Sequence, residues 1–491
     1  MSNEGARYCT RVLKCREGLN NKAYLLTMDN GSKVFAKLPN PIARPAFYTT
    51  ASEVATREFL RDAMNIPTPR IIAWSADRNN TVGAEYILEE KAPGKPLGSL
   101  WYQWPMKFKL EMISEIVEIE RQLASVKFAK SGCIYFRDDI REDMCSDNTR
   151  ITSAPLDSSI LERFKLGPLV SSGLWRGERA GMDMNRGLYN EPLEIVKAMP
   201  TNEIQFIKTH ARPRMNYHRP SKEPELPEEV LDLLDRYLRL APAMVPPLGT
   251  VDTHSPTLWH PNLHLDNVFV DPESKKITRI IDWQSATVIP FFYQCGFARM
   301  FQHPGIVSDG WALSKLPDDY DSLDQSEKAK IDSDRRSETC HKYYEAETKS
   351  KNPRHWAALQ LDSAHVRKEP SRLVINMWED RDIFFLRRAL LLIVEQWGGL
   401  CPESSICPVS FNEQEIASHA AEEESMSDVG EILRPFQENW GLPPNGMVDP
   451  NKFDRIRPAV AELRTSFIEG ADGEAQRELF AKLWPYQDVD I

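Results

Sequence analysis

The chain has 491 residues, 41% hydrophobic and 27% charged, enough to bury sizeable cores in two or three folding units. Its formal net charge of -11 excludes a general nucleic-acid binder, which needs concentrated Lys and Arg against phosphate. The eight cysteines are scattered without a CxxC pair, which fits neither a zinc site nor a small disulfide framework and points to reduced thiols in a cytosolic or organellar compartment.

The N-terminal residues mix Arg7, Arg11, Lys14 and Arg16 with Glu4 and Glu17, a pattern expected for a domain edge rather than a targeting signal. Lys22–Met28 and Lys33–Leu38 read as strands joined by the turn Asp29-Asn30-Gly31. A break at Pro39, Pro41 and Pro45 leads into a helix that Thr49, Thr50 or Ser52 would cap, with Val54, Phe59 and Leu60 on its apolar face. Ile66–Trp74 is an extended segment entering a strand, and Val82–Leu88 is a further strand. Beyond a seam at Leu88–Pro93, helical periodicity marks Phe108–Val126, Glu228–Leu240, Met377–Trp397, Glu413–Trp440 and Arg455–Ile468. One strand island interrupts them, Val268–Val270 and Ile277–Ile281. Pro317–Arg354 reads as exposed helix and linker. No membrane span is expected, because the most apolar late stretch, Ile383–Val394, is short and carries Arg387 and Arg388.

This order predicts an α+β bilobal architecture, with a small β-rich N-lobe over 1–90 and a larger, mainly helical lobe with a hairpin over 91–310. A charged linker and helical extension occupy 311–491. The chemistry concentrates on the hairpin. Asn267 precedes one of its strands and Asp282 follows the other, so the hairpin brings an amide oxygen and a carboxylate to one end, a suitable pair for a hard cation. Asn262 stands in the loop leading in, where a base or orienting group would be. In the first lobe, Lys37 lies on a strand and precedes an acidic helix that offers Glu53, or less naturally Glu58, as its partner. Gly18 is the one glycine between the first two strands, where a phosphate cradle would need close backbone approach.

The segment His260-Pro261-Asn262-Leu263-His264-Leu265-Asp266-Asn267, followed by Ile281-Asp282-Trp283, resembles the loop of the aminoglycoside phosphotransferase family. That loop runs His-x-Asp-x-x-x-x-Asn and then Ile-Asp-Trp or Ile-Asp-Phe. Val34-Phe35-Ala36-Lys37 is similar to the strand whose lysine contacts nucleotide phosphates. Gly18–Lys22, Tyr48–Thr56, Ile66–Arg70, Glu85–Glu90 and Leu258–Trp283 resemble the fungal altered-inheritance-of-mitochondria branch of that superfamily. The resemblance implies a protein-kinase-like fold, ATP and Mg2+ as cofactors, and transfer of the γ-phosphate to a small-molecule hydroxyl. It implies nucleotide contacts at Gly18, Lys37, Glu53, Ile87 and Glu89, metal ligation by Asn267 and Asp282, and a catalytic loop braced by His260. It implies a mitochondrial location as the alternative to the cytoplasmic one. The position of the family's catalytic aspartate is held by Asn262, so a second reading is a pseudokinase that binds nucleotide and serves as a scaffold or regulator. Partners on either reading are a nucleotide and a small molecule of unspecified structure, with no nucleic acid, and nothing in the sequence points to an oligomeric state.

Overall fold

The computed structural model describes residues 5–15, 20–40, 45–140, 156–214, 224–308, 310–380, 382–403, 406–440, 448, 450–471 and 473–484. The chain divides into two compact units, Met1–Asn202 with Met244–Lys368, and Glu203–Ala243 with Glu369–Ile491. The boundary expected at 310 lies inside the first of these.

The first unit opens with an antiparallel sheet of five strands in the order β1-β2-β3-β5-β4. Its members are β1 (Cys9–Lys14), β2 (Asn21–Met28), β3 (Lys33–Pro39), β4 (Ile71–Ser75) and β5 (Tyr86–Glu90). The β2–β3 turn works because Gly31 takes φ 79°, a left-handed value that glycine adopts without strain. β5 begins later than the apolar run suggests. The Asn80 side chain accepts hydrogen bonds from the amides of Val82 and Gly83 at 2.7 and 3.1 Å, which holds that stretch in a turn. Helix α1 (Tyr48–Met64) starts without a side-chain cap. Thr49, Thr50 and Ser52, expected as caps, are instead buried within it, and Thr50 donates to Glu85 at 2.7 Å. α1 is buried on nearly every side, because the sheet packs on one flank and a two-stranded ribbon, β7 (Cys133–Phe136) with β8 (Phe164–Gly167), on another.

The chain then passes through β6 (Lys95–Pro96), α2 (Gly98–Trp101) and α3 (Met106–Ser125). β9 (Pro256–Trp259) pairs with β12 (Thr287–Pro290), and between them in sequence lies the hairpin β10 (Val268–Val270) and β11 (Ile277–Ile280). β6 adds to the hairpin edge, so the segment following the seam is tied to the hairpin directly. Helix Gln325–Lys351 starts with a capping box made by Asp324 and Glu327. It packs on α3 through a buried seam of Cys340, Tyr344 and Thr348, which its many charges hide from a reading of periodicity. The core lies between α1, α3, β9, β11 and β12, with Phe59, Leu123, Leu258, Ile280 and Trp283 fully or almost fully buried.

The second unit is helical: Pro227–Met244, Ile383–Glu395, Glu413–Trp440, Pro450–Glu469 and Glu474–Leu483 are its long elements. Met377–Trp397, expected as one helix, is split. Asp382 accepts from the amide of Phe384 at 2.9 Å and so starts a new helix at Ile383. Among the described residues no helix is long and apolar enough to cross a membrane, and every described cysteine is a free thiol.

Candidate active site

Cross-strand pairing sets Lys37 opposite Ala23 on one side and Ile87 on the other. Its side chain therefore leaves the sheet on the same face as theirs. There Nζ donates to both oxygens of Glu53, at 2.8 and 2.9 Å, in a setting where the lysine is 9% and the glutamate 4% exposed. Charges this buried persist because each satisfies the other. The carboxylate of Asp282 approaches the same ammonium at 3.9 Å while remaining half exposed. Glu58, the other candidate partner on α1, turns to Arg61 and Arg163 at 3.5 and 3.6 Å.

A second buried cation stands one helical turn beyond Glu53. Arg57 lies 3.6 Å from Glu53 and 2.5 Å from Glu89, and donates to the carbonyl of Pro69 at 3.1 Å. Burial pulls the guanidinium down, but the carboxylates of Glu89 and Glu53 outweigh it and raise it, so Arg57 stays charged. Burial pushes the Glu89 carboxyl up, against the opposing pull of Arg57. Lys37, Glu53, Arg57 and Glu89 thus form one chain of charge that clips β3 and β5 to α1.

The loop before the hairpin is fixed by its own polar groups. The His260 ring accepts the amide of Asn262 on Nδ1 at 3.1 Å, so Nε2 carries the proton and donates to the carbonyl of Ile281 at 2.9 Å. Burial lowers this imidazole to about 4, which keeps it neutral, and it packs on Trp283 with ring centroids 4.4 Å apart. Asn267 is buried, and its Nδ2 donates to the main-chain carbonyl of Asn262 at 2.9 Å, which leaves its amide oxygen as the group available to a cation. The amide of Ile281 donates to the Asn267 carbonyl at 2.9 Å, placing Asp282 beside Asn267. Asp282 itself takes φ 64°, a left-handed backbone sparsely used outside glycine and asparagine. Such local strain clusters where a side chain must be aimed.

Of the other residues singled out from sequence, Gly18 lies outside the described residues. Ile87 is buried beside Lys37, and Glu89 faces α1 through Arg57. His264 caps the turn at 265–267 by accepting the Asp266 amide at 3.2 Å. The Asp266 carboxylate sits against the start of α2, where a Cβ on Gly98 would meet its Oδ1 at 2.2 Å. Asp252 is held by Lys127 at 2.6 Å, by the Ser255 hydroxyl at 2.7 Å and by two backbone amides. Against the cost of burial, those bonds keep its carboxyl well below the usual range.

Sequence reading passed over four features. Arg57 is one, although its i,i+4 spacing from Glu53 is a usable signal. Phe35 is another, half-buried on the face that carries Lys37. The others are ties across the seam. Asn21 donates to Gln284 at 2.6 Å, and Arg279 donates to Glu90 at 2.6 Å.

The sequence model of the phosphotransferase enzyme family matches residues 197–316, the stretch that contains the hairpin. A subtelomeric hrmA-associated cluster protein of Aspergillus fumigatus is 31% identical over 516 residues, covering 98% of this chain and 98% of that one. The altered inheritance of mitochondria protein 9, mitochondrial, of Eremothecium gossypii is 25% identical over 470 residues, covering 88% of this chain and 73% of that one. Among solved structures, the ADP-bound aminoglycoside phosphotransferase APH(2'')-Ib aligns over 78% of this chain and 92% of its own, at 11% identity and a TM-score of 0.38, too distant to carry weight. With a relative this similar from end to end and the family's own pattern on the hairpin, the chain belongs to the APH family of kinase-like phosphotransferase enzymes.

Proposed function

We propose that the chain is an ATP-dependent phosphotransferase that moves the γ-phosphate to a small-molecule hydroxyl. The observation that carries this reading is the Lys37 ammonium, held by Glu53 at 2.8 Å and facing Asp282 at 3.9 Å. That is a fixed positive charge beside a cation-ligating carboxylate, as phosphoryl transfer requires. Phe35, on the same face as Lys37, offers an aromatic surface on which a base can stack. The resemblance implies a hydroxyl as the acceptor oxygen.

Asn267 and Asp282 would hold Mg2+. Their donor set fits: one amide oxygen and one half-exposed carboxylate are hard oxygen donors. Mg2+ takes few protein ligands in such sites and keeps waters and phosphate oxygens for the rest. When bound it neutralises phosphate charge. The chain's own part is to orient. Glu53 fixes Lys37, His260 and Asn267 fix the backbone of Asn262, and the strained turn at Asp282 aims its carboxylate.

A scaffold that binds nucleotide without turning it over is the second reading, and Asn262 favours it. A neutral amide accepts no proton, and general base catalysis contributes about a hundred- to ten-thousand-fold. Equilibrium dialysis with radiolabelled ATP, followed by ADP release, tests both. Mg2+-dependent binding that falls at least tenfold in Lys37→Met supports the nucleotide site, and ADP release then separates enzyme from scaffold. Binding unchanged in Lys37→Met would overturn the assignment of Lys37.

A further inference from the structure

The two edges of the five-stranded sheet differ. β4 is half-buried along its whole length, and its Trp74 stacks on Phe136 of β7 with ring centroids 6.2 Å apart. β1 is exposed at every residue, and among the described residues it pairs with β2 alone. The Cys15 amide donates to the Ala23 carbonyl at 2.8 Å, and the register runs back from there through Leu13 opposite Leu25 and Arg11 opposite Thr27. Antiparallel ladders alternate, so the main chain of Arg11, Leu13 and Cys15 faces β2 while that of Val12 and Lys14 faces outward. Such an outward row is a template for one more strand.

Val12 and Leu13 stand on opposite faces of the sheet and are 62% and 49% exposed. A flat lipid surface would cover one face only, whereas a strand added at the edge lies beside both. Arg11 and Lys14 flank the apolar pair, and both are exposed. Residues 5–15 contain Arg7, Arg11 and Lys14 and no carboxylate, in a chain whose net charge is -11. A second copy pairing edge to edge would bring two wholly cationic stretches together, and like charges opposed across a ladder destabilise it. A strand with acids opposite Arg11 and Lys14 is favoured at the same places. Because the stretch reads cation, apolar, apolar, cation, its complement reads acid, apolar, apolar, acid in either chain direction.

We propose that the outer edge of β1 docks an extended acidic segment of a partner protein. The segment adds as a sixth strand, with an acid-apolar-apolar-acid core set against Arg11-Val12-Leu13-Lys14. The outward main-chain groups of Val12 and Lys14 supply affinity, and the four side chains supply the choice of partner. The edge uses none of the groups assigned to nucleotide or metal, so it serves this role whether or not the chain transfers phosphate.

The test titrates the full chain against two short fluorescent peptides that differ only in their cores, Glu-Val-Ile-Glu and Lys-Val-Ile-Lys, read by anisotropy. Phosphatidylserine vesicles, read by cosedimentation, are the third probe. The acidic peptide should bind about tenfold more tightly than the basic one or better, since two attractive cross-strand pairs replace two repulsive ones. Its binding should also slow hydrogen exchange over residues 8–15. Val12→Pro removes one outward amide and leaves the bonds to β2, so it should abolish binding. Arg11→Glu combined with Lys14→Glu keeps every main-chain group and should reverse the preference toward the basic peptide, which decides the matter even where Val12→Pro disturbs the sheet. Equal binding of the two peptides, binding of neither, or a preference that the charge swap leaves unchanged overturns the proposal. Binding to the vesicles without binding to the acidic peptide also overturns it, in favour of a lipid surface.

Discussion

Replacing Arg57 by methionine keeps much of the side-chain volume but removes the cation from two buried carboxylates. Glu89 loses its partner at 2.5 Å, and Glu53 is left with Lys37 alone. Stripping one member from a buried ion pair costs about 3–5 kcal/mol, because an uncompensated charge remains. The sign of the pH dependence follows from Glu89, whose carboxyl burial already pushes above its ordinary value of 4.5. A group raised in the folded state contributes stability that is fully present below the unfolded value and is lost as pH rises through the folded one. Without Arg57 the upward push is larger, so the deficit of the variant should shrink on going from pH 8 to pH 5. Urea unfolding followed by tryptophan fluorescence at both pH values measures this, and adding Glu89→Gln to Arg57→Met should recover part of the loss. A deficit under about 1 kcal/mol, or one independent of pH, would refute the view that Arg57 compensates buried charge.

Glu120 gives a second titration test. Burial pushes its carboxyl up to about 8, although the Tyr344 hydroxyl donates to it at 2.7 Å. Its neutral form therefore contributes stability below about 4.5 that drains away as pH rises toward 8, and Glu120→Gln should stabilise the chain by up to about 3 kcal/mol at pH 7, with no advantage at pH 4. An equal effect at both pH values in denaturant titrations would contradict it. Gly94→Ala should destabilise by about 1–2 kcal/mol or more, since Gly94 has φ +88° and a Cβ there would meet the Val270 carbonyl at 2.2 Å. Gly98→Ala should cost less, because its obstacle is the movable end of the Asp266 side chain. Melting temperatures of the two variants in the opposite order would reject that comparison.

What the sequence discloses and what it conceals follow from the range of the interactions. The hairpin is legible because two β-branched runs flank a local turn, so residues 267 and 282 meet without help from elsewhere. Lys37 and Glu53 are legible as a strand lysine followed by an acidic helix. Arg57 is not, because an arginine on a helix is ordinarily solvated and its burial depends on Pro69 and Glu89 folding back over α1. The short strands β7, β8, β9 and β12 escape for a related reason. Each is four residues long, and the ladder from Pro256 to Pro290 joins segments separated by the whole β10–β11 hairpin. Helix Gln325–Lys351 conceals its buried seam under charge, and the divide before Ile383 rests on a single capping aspartate.

Thermal unfolding of the full chain during titration with ATP, with and without Mg2+, and in parallel with Asp282→Ala, tests the central claim most directly. A ligand at a hundred times its dissociation constant stabilises by about 2.7 kcal/mol, enough to move the transition by a few degrees. The account predicts a Mg2+-dependent rise in the native chain that is lost in Asp282→Ala. No rise in the native chain, or the same rise in both proteins, would contradict it.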